Sequence, residues 1–116
     1  MAKKQTGRRA SCPVETTLGV IGGQWKVLVI HFLLDGPRRF GELSRLLGSI
    51  SARTLSKQLR ELEADEVVSR KDYQEILPRV EYSLTPLGES LKPVLQAMEA
   101  WGASVEKKSE NRRRRG

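Results

Sequence analysis

The sequence predicts a mainly α-helical domain carrying one small β-hairpin, on three observations. Apolar residues recur at helical spacing through most of 14–105, a single stretch at 67–84 alternates instead, and Gly- or Pro-containing breaks separate the periodic segments. The chain has 116 residues, 38% of them hydrophobic, so it holds one domain whose core needs no metal or disulfide.

The first helix is marked by Val14, Leu18 and Ile21, with Ser11 and Pro13 as start signals and Gly22-Gly23 as the stop. Over Gln24–Leu34, Trp25, Leu28, Val29, Phe32 and Leu33 form a full apolar face that ends at Asp35-Gly36-Pro37. Arg38–Phe40 is short enough to be either a minimal strand or a loop. Gly41–Leu47, with Phe40, Leu43, Leu46 and Leu47 on one side, predicts a helix of two turns ended by Gly48-Ser49.

Ser51 is the expected N-cap of the fourth helix, whose buried stripe is Leu55, Leu59 and Leu62. Its other face carries Arg53, Thr54, Ser56, Lys57 and Arg60, and the segment ends in Glu61, Glu63, Asp65 and Glu66. Bases early and acids late oppose the helix dipole, so stability alone does not account for the arrangement. A functional demand on the basic face accounts for it, the alternative being a merely solvated face. Val67–Tyr73 and Arg79–Leu84 then read as two strands joined through Gln74–Pro78, with Arg70, Lys71 and Arg79 near the ends of the ribbon. Thr85 caps a last helix with Pro86 at its first position, apolar at Leu87, Leu91, Val94, Leu95, Met98, Trp101 and Val105. Pro93 is expected to bend that helix rather than end it.

The resulting order, α-α-(short β)-α-α-β-β-α, is a winged helix-turn-helix. In such a unit the second helix of the motif enters the DNA major groove. There Arg and Lys donate to guanine O6 and N7, while Ser and Thr serve bases or phosphates. Ser51, Arg53, Thr54, Ser56, Lys57 and Arg60 are therefore the expected reading residues. Arg70, Lys71 and Arg79 on the wing, with Arg38 and Arg39 before the motif, are expected to position or support it on phosphates.

Charge placement agrees. There are 21 Lys and Arg against 14 Asp and Glu, a net +7, yet residues 12–106 hold 11 bases and 13 acids. The excess lies in 1–11 and 107–116, polar stretches without aromatic residues that are expected to be disordered tails flanking a domain over 12–106. Within that slightly acidic domain, residues 38–60 carry Arg38, Arg39, Arg45, Arg53, Lys57 and Arg60 against Glu42 alone.

Other chemistries find little support. One Cys and one His cannot build the usual zinc site, and no nucleophile, base and orienting group can be assembled, so neither metal, cofactor nor catalysis is expected. His31 reads as a packing or interface residue, and Trp25 and Phe32 read as core. Aromatic residues at 5% are too few for a stacking surface on single strands. No apolar run approaches the ~20 residues of a spanning helix, and no apolar segment follows the basic start, so a soluble cytoplasmic protein is expected.

The chain resembles the HxlR-type family of bacterial winged-helix transcriptional regulators, related in fold to the MarR type. The resemblance rests on Cys12-Pro13-Val14-Glu15, Ile21-Gly22-Gly23-Gln24-Trp25-Lys26, Gly36-Pro37-Arg38-Arg39-Phe40-Gly41-Glu42-Leu43, Ile50-Ser51 through Leu62-Glu63, Arg79-Val80-Glu81-Tyr82-Ser83-Leu84-Thr85 and Trp101-Gly102. It covers roughly residues 11–103. It implies a homodimer joined through the first and last helices, here Val14, Leu18, Leu91, Leu95, Met98 and Trp101, that presents two reading helices to a pseudo-palindromic operator, with repression rather than activation the expected outcome. It also implies two readings of Cys12, near Arg8 and Arg9 in sequence: a sensor of oxidants or small electrophiles such as quinones, or a small packing residue at the dimer interface. Two departures stand out. Glu66 occupies the position where relatives commonly have Gly, which predicts a turn that is either not left-handed or mildly strained, and Leu77-Pro78 replaces the usual Pro-Pro of the wing. Two rival readings stay open: a general nucleic-acid binder driven by the basic tails, and a winged-helix module for protein interaction.

Overall fold

A computed structural model describes residues 12–74 and 79–115. The expected tail 1–11, with Ser11, Arg8 and Arg9, and the Leu77-Pro78 wing tip lie outside the described residues. Helix α1 (Pro13–Ile21) starts on Cys12, whose N–H donates to the Glu15 carboxylate at 3.0 Å. Helix α2 (Lys26–Leu33) buries Val29, Ile30 and Leu33. The chain then reverses at Gly36, where φ is 136°, a conformation L side chains avoid.

Arg38–Arg39 is a strand, β1. It pairs antiparallel with β3 (Val80–Leu84), Arg38 opposite Tyr82 and Arg39 opposite Glu81, while β2 (Val68–Asp72) pairs on the other side, giving the order β1-β3-β2. The alternation seen in sequence thus belongs to a three-stranded sheet rather than an isolated hairpin. Two residues had no periodicity to show, and their pairing partner lies some forty residues away.

Helix α3 (Phe40–Leu47) is tied at its start by Glu42, whose carboxylate accepts the Arg39 N–H at 2.8 Å, and Gly48 ends it at φ 78°. Helix α4 (Ala52–Ala64) buries Leu55, Leu59 and Leu62. It closes in a left-handed cap: Val67 N–H donates to Leu62 O at 3.0 Å and Glu66 N–H to Glu63 O at 2.9 Å, with Glu66 at φ 61°. The turn is therefore the left-handed one, and Glu66 bears the strain. Glu66→Gly is expected to raise stability by about 0.5–1 kcal/mol, the left-handed penalty less the entropy of the added glycine, measured as a higher urea midpoint.

After β3, the Thr85 hydroxyl accepts Gly88 N–H at 3.0 Å and donates to Glu66 O at 2.6 Å, while Thr85 N–H donates to Val67 O at 3.0 Å. A single threonine thus starts helix α5 (Pro86–Glu89) and fastens it to the end of α4. Gly88 lies against the Val67 carbonyl so closely that a Cβ there would collide with it.

Two expectations about the C-terminal region are corrected. The last helix is not one bent rod. It breaks at Ser90–Leu91, and α6 (Lys92–Arg115) begins afresh, so Pro93 falls in a first turn where its missing N–H costs nothing. Nor does the helix stop before 107, because α6 runs on to Arg115 instead of giving way to a disordered tail. Residues 103–115 contain neither Gly nor Pro and are rich in straight-chain residues, and bases in the last turns complement the helix dipole.

The core gathers Ile30, Leu33, Leu43, Leu55, Leu59 and Leu62 from the helices with Val68 and Tyr82 from the sheet and Val67 just before it. Its effect is to hold α4 by one stripe, leaving the other face to solvent.

Candidate nucleic-acid interface

Gly48 and Ser49 make the turn between α3 and α4, and Ile50, nearly buried, pins it to the core. Ser51 then caps α4: its hydroxyl oxygen accepts Thr54 N–H at 3.1 Å and its O–H donates to Thr54 Oγ1 at 2.9 Å. Ser51 and Thr54, two of the expected reading residues, thus also fix the start of the helix they would read from. From that start, Arg53, Lys57 and Arg60 are exposed on the face away from the leucine stripe, with Ser56 half-buried among them. Arg60 Nη1 donates to Ser56 Oγ at 2.8 Å, which holds the guanidinium along the helix.

Lys57 is not free either. Its Nζ lies 3.2 Å from Glu61 Oε2, and the Nζ of Lys26, from α2, lies 2.7 Å from Glu61 Oε1. Hydrogen bonds from Lys26 first and Lys57 second hold the Glu61 carboxyl below the usual carboxylate range, against a small opposing effect of burial. Lys57 and Glu61 stand one turn apart on α4. Lys26 is far from Glu61 in sequence and reaches it across a helix–helix packing.

The wing residues divide. In β2, Arg70 and Lys71 are both exposed, Arg70 opposite Tyr82 and Lys71 opposite Glu81, so they point to opposite faces. The Arg79 guanidinium stacks on the Tyr73 ring at 3.8 Å, with Nη1 3.9 Å from Glu81 Oε2, and the Lys71 ammonium sits 4.8 Å from the same ring. Tyr73 O–H donates to Glu81 Oε1 at 2.9 Å. Arg79 therefore stiffens the wing. Tyr73 and Glu81, which residue type alone did not single out, organise it. Arg38 also turns inward, its Nε donating to Phe32 O at 2.8 Å at the end of α2, whereas Arg39 is exposed.

Of the residues expected at a dimer interface, Val14 is 64% exposed, Leu18 58%, Met98 48% and Trp101 73%, and Leu91 is half-buried. Leu95 departs from the set: at 5% exposure it belongs to the chain's own core, because the first turns of α6 lie on α2. Leu28, Leu46, Leu87, Val94 and Val105 are exposed as well, although the sequence pattern assigns them to helix faces and none of them to the dimer interface. On α6, Val94, Met98, Trp101 and Val105 are spaced four, three and four apart and form one exposed apolar seam along the helix. Cys12 is exposed at the start of α1, and His31 is exposed with its ring edge-on to Phe32 at 5.1 Å. Among the described residues, no group of three or more His, Cys, Asp or Glu could hold a metal ion, and no single helix is long and apolar enough to cross a membrane.

A helix-turn-helix followed by an antiparallel wing, with an exposed basic face on the second helix of the motif, defines a winged-helix DNA-binding regulator. The comparisons narrow the class. The family model for the HxlR-like helix-turn-helix matches residues 20–110, and the chain belongs to that family. The uncharacterized HTH-type transcriptional regulator YkvN of Bacillus subtilis is 53% identical over 95 residues, covering 82% of this chain and 80% of its own length. The redox regulator HypR in its reduced form superposes with a TM-score of 0.81 at 47% identity, over 86% of this chain and 99% of that one. YodB of B. subtilis in its reduced form gives 0.71 at 40% identity, over 79% and 91%, and YodB has also been solved bound to a quinone.

Proposed function

We propose that this regulator binds a specific double-stranded DNA sequence as a homodimer on a pseudo-palindromic operator, acting as a repressor at the nucleoid in the cytoplasm. The observation that carries the reading is the division of α4 into a fully buried leucine stripe and an exposed face bearing Arg53, Lys57 and Arg60. Arg53 and Lys57, with Arg60, Ser56, Thr54 and Ser51 around them, read and hold the major groove. Arg39, Arg70 and Lys71 contact flanking phosphates, and Arg38 and Arg79 support them from within the sheet. The exposed apolar seam of α6, with Val14 and Leu18 on α1, supports a two-fold dimer, which doubles the DNA contact.

Selection of bound fragments from random DNA gives the operator and its half-site spacing. Against that operator, Arg53→Ala is expected to lose about 1–3 kcal/mol per base pair read and to relax preference at that position alone. A uniform loss over all sequences, with a salt slope reduced by about one, would make Arg53 a phosphate contact. A binder driven by the basic ends would show no sequence preference at all, and a protein-interaction module would recover no duplex.

Cys12 gives the regulator an input. It is exposed at a helix start, in a chain similar to a redox regulator and to a protein solved bound to a quinone. Oxidant or quinone treatment is expected to release the operator from the wild type and to leave Cys12→Ser bound, as followed by fluorescence anisotropy. An equal response in both would remove Cys12 from the mechanism and leave it as a packing residue.

A further inference from the structure

Two lysines of different standing share one carboxylate. The Lys57 side chain, on the exposed face of α4, is 63% exposed, and it sits on one oxygen of Glu61. The Lys26 side chain, anchored in α2, is 15% exposed, and it sits on the other. We propose that Lys26 and Glu61 are positioning residues for DNA reading: Glu61 holds the Lys57 ammonium along α4 in the free protein, and Lys26 keeps Glu61 neutralised so that Lys57 can leave it for DNA.

The physical reasoning concerns what remains after Lys57 moves. Its ammonium can exchange a carboxylate oxygen for a phosphate oxygen or for guanine O6 and N7 with little loss of hydrogen bonding. Without a second cation, that exchange would leave an unpaired carboxylate beside a polyanion. Like charges at such a contact oppose binding, so Glu61 would compete for Lys57 instead of releasing it. Lys26 removes the conflict. Its stem is packed and its ammonium is 2.7 Å from Oε1, so it stays in place when the exposed lysine moves. A surface ion-pair network that merely staples α2 to α4 would leave the DNA contribution of Lys57 independent of Lys26.

The inference rests on the DNA-reading function proposed above, and its test separates the two. The fold-loss in operator affinity caused by Lys57→Ala is measured at fixed salt in three backgrounds: wild type, Lys26→Met, and Lys26→Met with Glu61→Gln. Comparing losses cancels the long-range effect of removing one charge from position 26. In the Lys26→Met background Glu61 retains Lys57, so Lys57→Ala is expected to cost less by roughly 1.4- to 5-fold per half-site, the range of an exposed ion pair. Adding Glu61→Gln restores the full loss. Equal losses in all three backgrounds overturn the inference while leaving sequence-specific binding intact. Failure of the wild type to prefer any duplex overturns the DNA-reading function and the inference with it. Thermal unfolding confirms that each variant folds, and Lys26→Gln supplies the same contrast if the Met variant is destabilised.

Discussion

Trp101→Asp should dissociate the proposed dimer. Trp101 is 73% exposed in the single chain, in a seam with Val94, Met98 and Val105, so its removal deprives the chain's own core of nothing. A tryptophan at the centre of a helix–helix interface is the usual kind of hot spot, and losing it costs about 2–4 kcal/mol of association. That is roughly 30- to 700-fold in the dimer Kd. Placing a carboxylate there adds the desolvation of a charge wherever the dimer still forms. Sedimentation should show a monomer with an unchanged far-UV spectrum, and operator affinity should fall because one reading helix is lost. A variant that stays dimeric would move the interface off α6, onto a surface drawn from Val14, Leu18, Leu28, Leu46 and Leu87.

Leu59→Ala should be the most damaging single change to the fold. Leu59 is 1% exposed between Leu55 and Leu62, where α4 meets the core. Truncation removes buried methyl groups and leaves a cavity, at a cost of about 2–5 kcal/mol. A domain of this size has about 5–15 kcal/mol in all, so the urea midpoint should drop by a large fraction. DNA binding should fall with it, since the same stripe orients Arg53 and Lys57. The contrast is Leu46→Ala: Leu46 is 43% exposed, so its truncation should leave the midpoint nearly unchanged. If Leu59→Ala is as mild as Leu46→Ala, the stripe does not hold α4.

Most helical periodicities and the wing alternation were legible in the sequence because each depends on neighbours within a few residues, although on α2 Ile30 is buried and the expected Leu28 is exposed. Legible too were the Ser51 and Thr85 caps, whose hydroxyl oxygens accept backbone N–H groups three residues on. The left-handed turn at Glu66 was less so. Glu disfavours that conformation locally, but the buried pair Leu62 and Val67 on either side of the turn imposes it. Local composition misled at the C-terminus. A charged run without aromatic residues reads as solvated tail, yet the same Lys, Glu and Arg residues extend α6 once Leu95 has docked its beginning on the core.

The candidate site divides along the same line. That 53–60 carries a basic face opposite a leucine stripe follows from residue order alone, because a helix converts spacing into direction. Which of those bases stand ready and which are held depends on partners distant in sequence. Arg79 lies on Tyr73 and Arg38 on the Phe32 carbonyl, while Lys57 shares Glu61 with a lysine from another helix. Residue order was enough for α1 to α4, the two wing strands and the basic face of α4. The third strand, the split between α5 and α6, the inward turn of Arg38, the burial of Leu95 and the pairing of Lys26 with Glu61 arose in the tertiary structure. All of these but the split join segments that local periodicity cannot connect, and they meet only when the core closes around its leucines.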